Sequence, residues 1–399
     1  MVDEGDGQCV IREGNRKKGG TMAKVKGKKK LRSYVAGLFD VEERLTKLSR
    51  LGDPLVELKR LIDWEAFRGE IEQAREKARE HARKSAAGAK PIDAVLMFKT
   101  LVLQQLNNLS DDRIEYQIRD RLSFMRFLDL NLEDRVPDAK TVWLLRERLK
   151  QDGVGEKLFK RFDEQLASKG LIAKGGQMVD ATFVEVPKSR NNREDNAKIK
   201  AGEIPEEWKK EDAATVHMRS QKDTDARWTK KNNETHFGFK NHINADAGNK
   251  LIRAYAVTTA SVHDSQVFDE LLDQSTDEDG NKRAVYADSA YRSKEQEGRL
   301  QADGIDSQIC EKGSRGKPLT DEQKATNRAK SKTRVRVEHV FGAQAQMGGH
   351  LVRTIGIARA RVKIAMMNLV YNMRRFVLLC RREIQTPGGV DRRGASAAA

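Results

Sequence analysis

Cysteine is nearly absent: Cys9, Cys310 and Cys380 are odd in number, far apart, and include no CxxC pair. That scarcity excludes a disulfide framework or zinc knuckle and fits a reducing compartment. Also missing is any apolar run approaching the roughly 18 uncharged residues of a membrane helix. The opening MVDEGDGQCV has no basic stretch leading into an apolar core. A soluble intracellular protein is expected. Acidic residues are scarce in the last stretch: from Glu311 to Ala399 there are 19 basic and 6 acidic residues, which places +13 of the net +16 there. This asymmetry suits a polyanionic partner, nucleic acid or an anionic membrane surface. A solvated basic tail is the plainer alternative.

A chain of 399 residues is long enough for two or three units, each with its own core. Residues 1–30 are rich in Gly and Lys and too poor in apolar residues to pack, so they read as a disordered basic arm. Residues 31–170 read as a helical N-terminal, DNA-binding domain. Within it proline stands at a helix start in PIDAVLMF, and Ile114, Ile118, Leu122 and Met125 recur at helical spacing. Its basic residues Arg119, Arg121, Arg146 and Arg148 suit an ordinary solvated helix face as well as DNA contact. From residue 171 the period changes from 3.6 to 2, and a strand-rich domain runs over 171–350 with a polar insertion at 187–234. A basic amphipathic helix follows over 351–384, with Val362, Met366, Leu369, Met373, Phe376 and Cys380 on its apolar face. Residues 385–399 read as a disordered tail.

The stretch QMVDATFVEV, residues 177–186, looks like a strand buried on both faces, yet it contains Asp180. A carboxylate there needs a compensating partner. HFGFKNHINAD alternates, with Phe237, Phe239, Ile243 and Ala245 on a core face and His236, Lys240, His242 and Asn244 on a polar one. After the turn AGNK, LIRAYAVTTASV completes an antiparallel meander. A helix, DSQVFDELL, capped by Asp264 or Ser265, precedes a fourth strand, RAVYADSAY, that carries Asp288. A further helix leads to a fifth strand around DSQICEKG. Thr320 and Gln323 then form a capping box opening a helix that contains Glu338.

The expected fold is α/β: a mixed five-stranded sheet with flanking helices, preceded by an all-α domain. With the first strand central and the fourth beside it, Asp180 and Asp288 become neighbours, and Glu338 reaches them from the closing helix. Three carboxylates so placed suit Mg²⁺ or Mn²⁺, and two such ions can activate a nucleophile and stabilise the leaving oxygen of a phosphodiester. Each acid also has a plainer reading. Glu338 could pair with Arg334 one turn away, Asp264 could cap a helix, Asp246 could hold a turn, and Asp223 and Asp225 lie in a loop.

These stretches resemble the bacterial insertion-sequence transposases of the DDE type, in the "insertion sequence five" group, whose catalytic core is RNase H-like. The resemblance is carried in order by IEYQIRDRLSFMRFLDLNLEDRVPDAKT, VDATFVEV, DTDARWTKK, HFGFKNHINAD, TTASVHDSQVFDELL, VYADSAYRS and TRVRVEHVFG, over roughly residues 90–380. It implies that Asp180, Asp288 and Glu338 are the catalytic, metal-binding triad, served by two Mg²⁺ or Mn²⁺ ions, and that Arg334 is the arginine of the signature. A related signature has Tyr three residues before that arginine and Lys seven after the Glu. Here Ser331 and Ala345 stand there, which leaves Gln344, Gln346 or Arg353 to contact the DNA end. The strand reads GFK where GYK is commoner, a change an apolar pocket tolerates.

The implied function is binding of double-stranded DNA at an element's terminal inverted repeats, cleavage, and joining of the 3′ ends to target DNA. Lys240, His242, Arg292, Arg334, Arg336 and Arg353 are the expected DNA contacts. A homodimer or larger assembly, no membrane partner, and a cytoplasmic, nucleoid-associated location follow. Two alternatives stay open: a nuclease with the same core and no strand transfer, and a domesticated DNA-binding remnant that would not need the acids.

Overall fold

The computed structural model describes residues 39–80, 90–151, 153–172, 175–188, 191–231, 233–274, 282–314, 316 and 318–385. The expected arm at 1–30 and, beyond Gln385, the expected tail lie outside them. Eight helices come first: α1 (Asp40–Arg50), α2 (Pro54–Leu61), α3 (Arg68–Glu80), α4 (Ala94–Leu106), α5 (Asp111–Asp120), α6 (Leu122–Leu128), α7 (Ala139–Arg148) and α8 (Val154–Ser168). Local chemistry starts them. Asp53, Asp93, Ser110 and Asp138 each accept a hydrogen bond from a backbone N–H of the following turn, and Pro54 fills the first position of α2.

The strands are β1 (Gln177–Glu185), β2 (Arg227–Lys231), β3 (Glu234–Asp246), β4 (Ile252–Thr259) and β5 (Val285–Tyr286). Antiparallel pairing joins β1 to β3 and β3 to β4, and β5 lies parallel to β1. The expected meander and the expected neighbour of the first strand are therefore present, in a mixed sheet. The fifth strand is not the expected one. Around DSQICEKG only an isolated parallel bridge forms, between Val285 and Ser307. The segment faces a two-residue strand, which offers little ladder to extend. The sheet instead gains β2, from inside the polar stretch 187–234, paired with the start of β3. That stretch also holds α9 (Arg193–Lys200) and α10 (Ala213–Ser220), with Ile199 and Trp208 buried. Asp223 accepts from the backbone N–H of Asp225, Ala226 and Gly356, and Asp225 from that of Ile357, so both loop acids are structural.

After β4 come α11 (Phe268–Leu271), α12 (Lys294–Ala302), α13 (Asp321–Arg334), α14 (Glu338–Gln346) and α15 (Ile357–Gln385). The capping box at Thr320 and Gln323 is present at the start of α13. The helix it opens does not run through to Glu338: a 3₁₀ turn, Val335–Val337, separates α13 from α14. The apolar face expected on α15 is buried throughout, but so are Ile364, Met367, Val370, Tyr371 and Leu379 on its other sides. α15 is accordingly a core helix rather than a surface one, and it packs on α2, α4, α8 and β4.

The largest apolar cluster spans the helical part and the sheet. It joins Phe98 and Leu101 of α4, Leu158 and Phe162 of α8, Ile243 and Ala245 of β3, and Leu369 and Phe376 of α15. α15 is shared between the helical part and the sheet, while a second cluster, including Val179, Phe268, Val285 and Ile309, lies on the sheet side alone. Buried amides set its register: Asn368 accepts from Asn241 at 2.9 Å and from Gln344 at 2.7 Å, and Asn372 bonds both backbone groups of Ile252. Among the described residues no helix is long and apolar enough to cross a membrane.

Candidate active site

β1 pairs with β5 in parallel register, Met178 beside Tyr286. Two residues further along each strand direction stand Asp180, within β1, and Asp288, just beyond the end of β5. Asp288 has left the strand and opens the 3₁₀ turn Ser289–Tyr291 without capping it through its side chain. Glu338 begins α14, with Val337 and Val340 buried on either side, and its own side chain is exposed. All three acids line one cavity of about 480 Å³, together with Arg334, Lys231 and His350.

Asp180 is buried and accepts from the N–H of Ala181 at 2.8 Å and from Arg334 at 3.1 Å. Burial pushes its pKa up to about 6, and the charge of Glu338 adds to the rise, while the Ala181 N–H and Arg334 oppose it. Asp288 and Glu338 have no hydrogen-bonded or ion-paired partner among the described residues. Behind them Tyr291 is buried, its hydroxyl without a partner. Burial raises its pKa most, and the negative charges of Asp180, Asp264 and Asp288 raise it further. As their side chains stand, no group of three or more His, Cys, Asp or Glu among the described residues is set to hold a metal ion.

Several expected contacts are elsewhere. Lys240 and His242 are buried, which corrects their reading as DNA contacts. The Lys240 ammonium donates to Val262 O and to Asp264, both at 2.7 Å, and His242 Nε2 lies 2.8 Å from Thr258 Oγ1. The polar face of β3 is covered by the segment after β4, so an internal ion pair replaces solvent there. Burial lowers the pKa of His242 to about 4. Asp264 is thus an ion-pair partner; the cap it was expected to supply comes from His263, which accepts from Ser265 N–H. Asp246 holds the turn as expected, accepting from Gly248 and Asn249. Gln344 is buried in the amide network and unavailable to DNA, whereas Gln346 is exposed.

The arginines differ too. Arg334 is committed to Asp180. Arg292 lies 3.3 Å from Glu297 and donates to Ile309 O, and Arg336 donates to Gly248 O. Arg353 is exposed and lines a neighbouring cavity. Lys231, which lines the acid cavity, was not anticipated; it lies in RWTKK, whose weak alternation conceals a strand inside a polar stretch.

One acid on the central strand, a second just beyond the end of its parallel neighbour and a third from a helix thus line the same cavity. Residues 173–373 match the family model described as "Transposase DDE domain", and residues 43–148 match that described as "Transposase domain (DUF772)". The first match alone spans just over half of the chain, and the protein belongs to the DDE-domain transposase family. Among solved structures, a cryo-EM structure of a piggyBac transposase synaptic complex with hairpin DNA is similar: 14% identical, TM-score 0.42, covering 84% of this chain and 82% of that one.

Proposed function

We propose that the protein binds the terminal inverted repeats of an insertion sequence, cleaves a phosphodiester there, and joins the resulting 3′ ends to target DNA. The observation that carries this reading is the meeting of Asp180, Asp288 and Glu338, from three distant segments, on one cavity. The donor set is hard oxygen only, which fits Mg²⁺ or Mn²⁺, and the raised pKa of Asp180 marks a buried negative charge that a cation would relieve. Asp180, Asp288 and Glu338 would hold the ions, a pair in this reading. Bound there, divalent ions supply Lewis-acid stabilisation of the attacking and leaving oxygens.

The chain's own residues supply position and charge. Arg334 holds the Asp180 carboxylate in one orientation, and Lys231 brings a cation to the wall of the same cavity. The exposed basic residues of the C-terminal part give salt-dependent attraction to DNA backbone, and two DNA ends held together call for two or more copies of the chain.

The test is cleavage and joining of labelled DNA carrying the element's end, with Asp180→Asn, Asp288→Asn and Glu338→Gln beside wild type. All three variants should bind DNA and lose both steps by about 100-fold or more. In parallel, millimolar Mg²⁺ should raise the Tm of wild type more than that of Asp180→Asn. Variants that cut like wild type would sink the assignment. Cleavage without joining would identify a nuclease instead.

A further inference from the structure

Beside the acid cavity lies a second one, of about 360 Å³, between α4, α5 and α7 on one side and the 348–354 loop with α15 on the other. His350 lines both. The loop is tied to the end of the strand that carries Asp180. His350 O accepts from Glu185 N–H at 2.9 Å, and Val352 N–H donates to Glu185 O at 2.8 Å, so residues 350–352 run alongside β1.

The charges of this cavity do not cancel. Arg146 forks onto Asp111 at 2.8 and 2.7 Å, and Gln104 donates to the same carboxylate at 2.7 Å, which neutralises that pair internally. Lys363 and Arg353 remain, with no carboxylate partner among the described residues. Thr354 Oγ1, also on the wall, is buried with no hydrogen-bond partner. Lys363 is partly accessible over its whole length, but burial is the chief cause that lowers its pKa to about 8, with repulsion from Arg146 next and Asp111 acting against both. A cation desolvated without a paired anion is costly, and an anionic ligand would remove the cost.

We infer that this cavity is a phosphate subsite: Lys363, Arg353 and the Thr354 hydroxyl hold a backbone phosphodiester of the DNA strand that also enters the acid cavity, with His350 between the two. The inference rests on the reading of the acid cavity as a DNA-cleaving site. It gives Lys363, a basic residue inside a core helix, a role that packing alone does not.

The test uses Lys363→Met, which keeps length and apolar stem, and Lys363→Arg, which restores charge. Without ligand, Lys363→Met should be at least as stable as wild type, since it removes a desolvated cation whose nearest carboxylate, Asp111, is already held by Arg146. Binding of a generic DNA duplex is followed across a salt series, and the Tm shift given by inorganic phosphate is measured at constant ionic strength. Lys363→Met should bind the duplex about 10-fold more weakly at low salt, with a salt slope smaller by about one, and Lys363→Arg should recover most of the loss. Phosphate should raise the Tm of wild type and not of Lys363→Met.

Unchanged duplex affinity overturns the inference, including the case where only the phosphate shift is lost, which would mark a site for a free anion. The two readings fail separately. Loss of cleavage in Asp180→Asn with normal DNA binding by Lys363→Met defeats the subsite alone; weakened binding by Lys363→Met with intact cleavage in Asp180→Asn defeats the chemistry alone.

Discussion

Asp180 concentrates the cost of the site in one carboxylate. Its folded pKa of about 6 exceeds the usual carboxylate value, so folding favours the protonated form. The stability tied to that proton is present below the ordinary carboxylate pKa and is lost as pH rises through about 6. Asp180→Asn should therefore stabilise the metal-free protein by roughly 1–3 kcal/mol near neutral pH, a gain that vanishes near pH 4. Urea unfolding at the two pH values checks it; a variant less stable than wild type at neutral pH would show that the bond to Arg334 outweighs burial. At this scale much was legible. An acid within an apolar strand, and another at the end of a second strand, stand out because the surrounding pattern leaves them no surface to occupy. Lys240 and His242 were misread for the converse reason: alternation tells which face a side chain is on, not whether later chain covers that face.

The elements that frame the cavity are joined by buried amides as well as by apolar contact. Asn368 of α15 bonds Asn241 of β3 and Gln344 of α14, and α14 begins with Glu338. Asn368→Leu removes the shared partner of two buried amides and leaves them only the 3.4 Å contact between Asn241 and Gln344, which should cost about 2–4 kcal/mol. Equilibrium unfolding measures the cost, and activity should fall beyond it, since the start of α14 would lose its register against β3. A loss under about 1 kcal/mol would mean that water or a rearranged amide satisfies the pair. The sequence marks these residues only as polar interruptions, Asn368 and Asn372 one turn apart in an apolar helix and Asn241 on the core face of β3. Nothing in their spacing says which of them meet. The strand at 227–231 was hidden likewise, because its partner, not its own pattern, makes it a strand.

At the scale of the whole molecule, the helical part and the sheet share the core that α15 fills. A chain ending before residue 351 should lose cooperative unfolding and expose apolar surface, although it keeps the whole segment 31–170. Dye binding and limited proteolysis would test this; a compact, protease-resistant fragment would show that the helices close a core of their own. Block boundaries in composition record where periodicity changes, which is a local property, whereas the packing across those boundaries links residues 200 or more positions apart, such as Gln105 with Met347.

The central place of α15 also bears on how the protein comes into being. Synthesis proceeds from the N-terminus, so the chain waits on the ribosome with the apolar surface that α15 covers unsatisfied until that helix emerges. Prematurely terminated products are then substrates for chaperones and proteases rather than folded proteins.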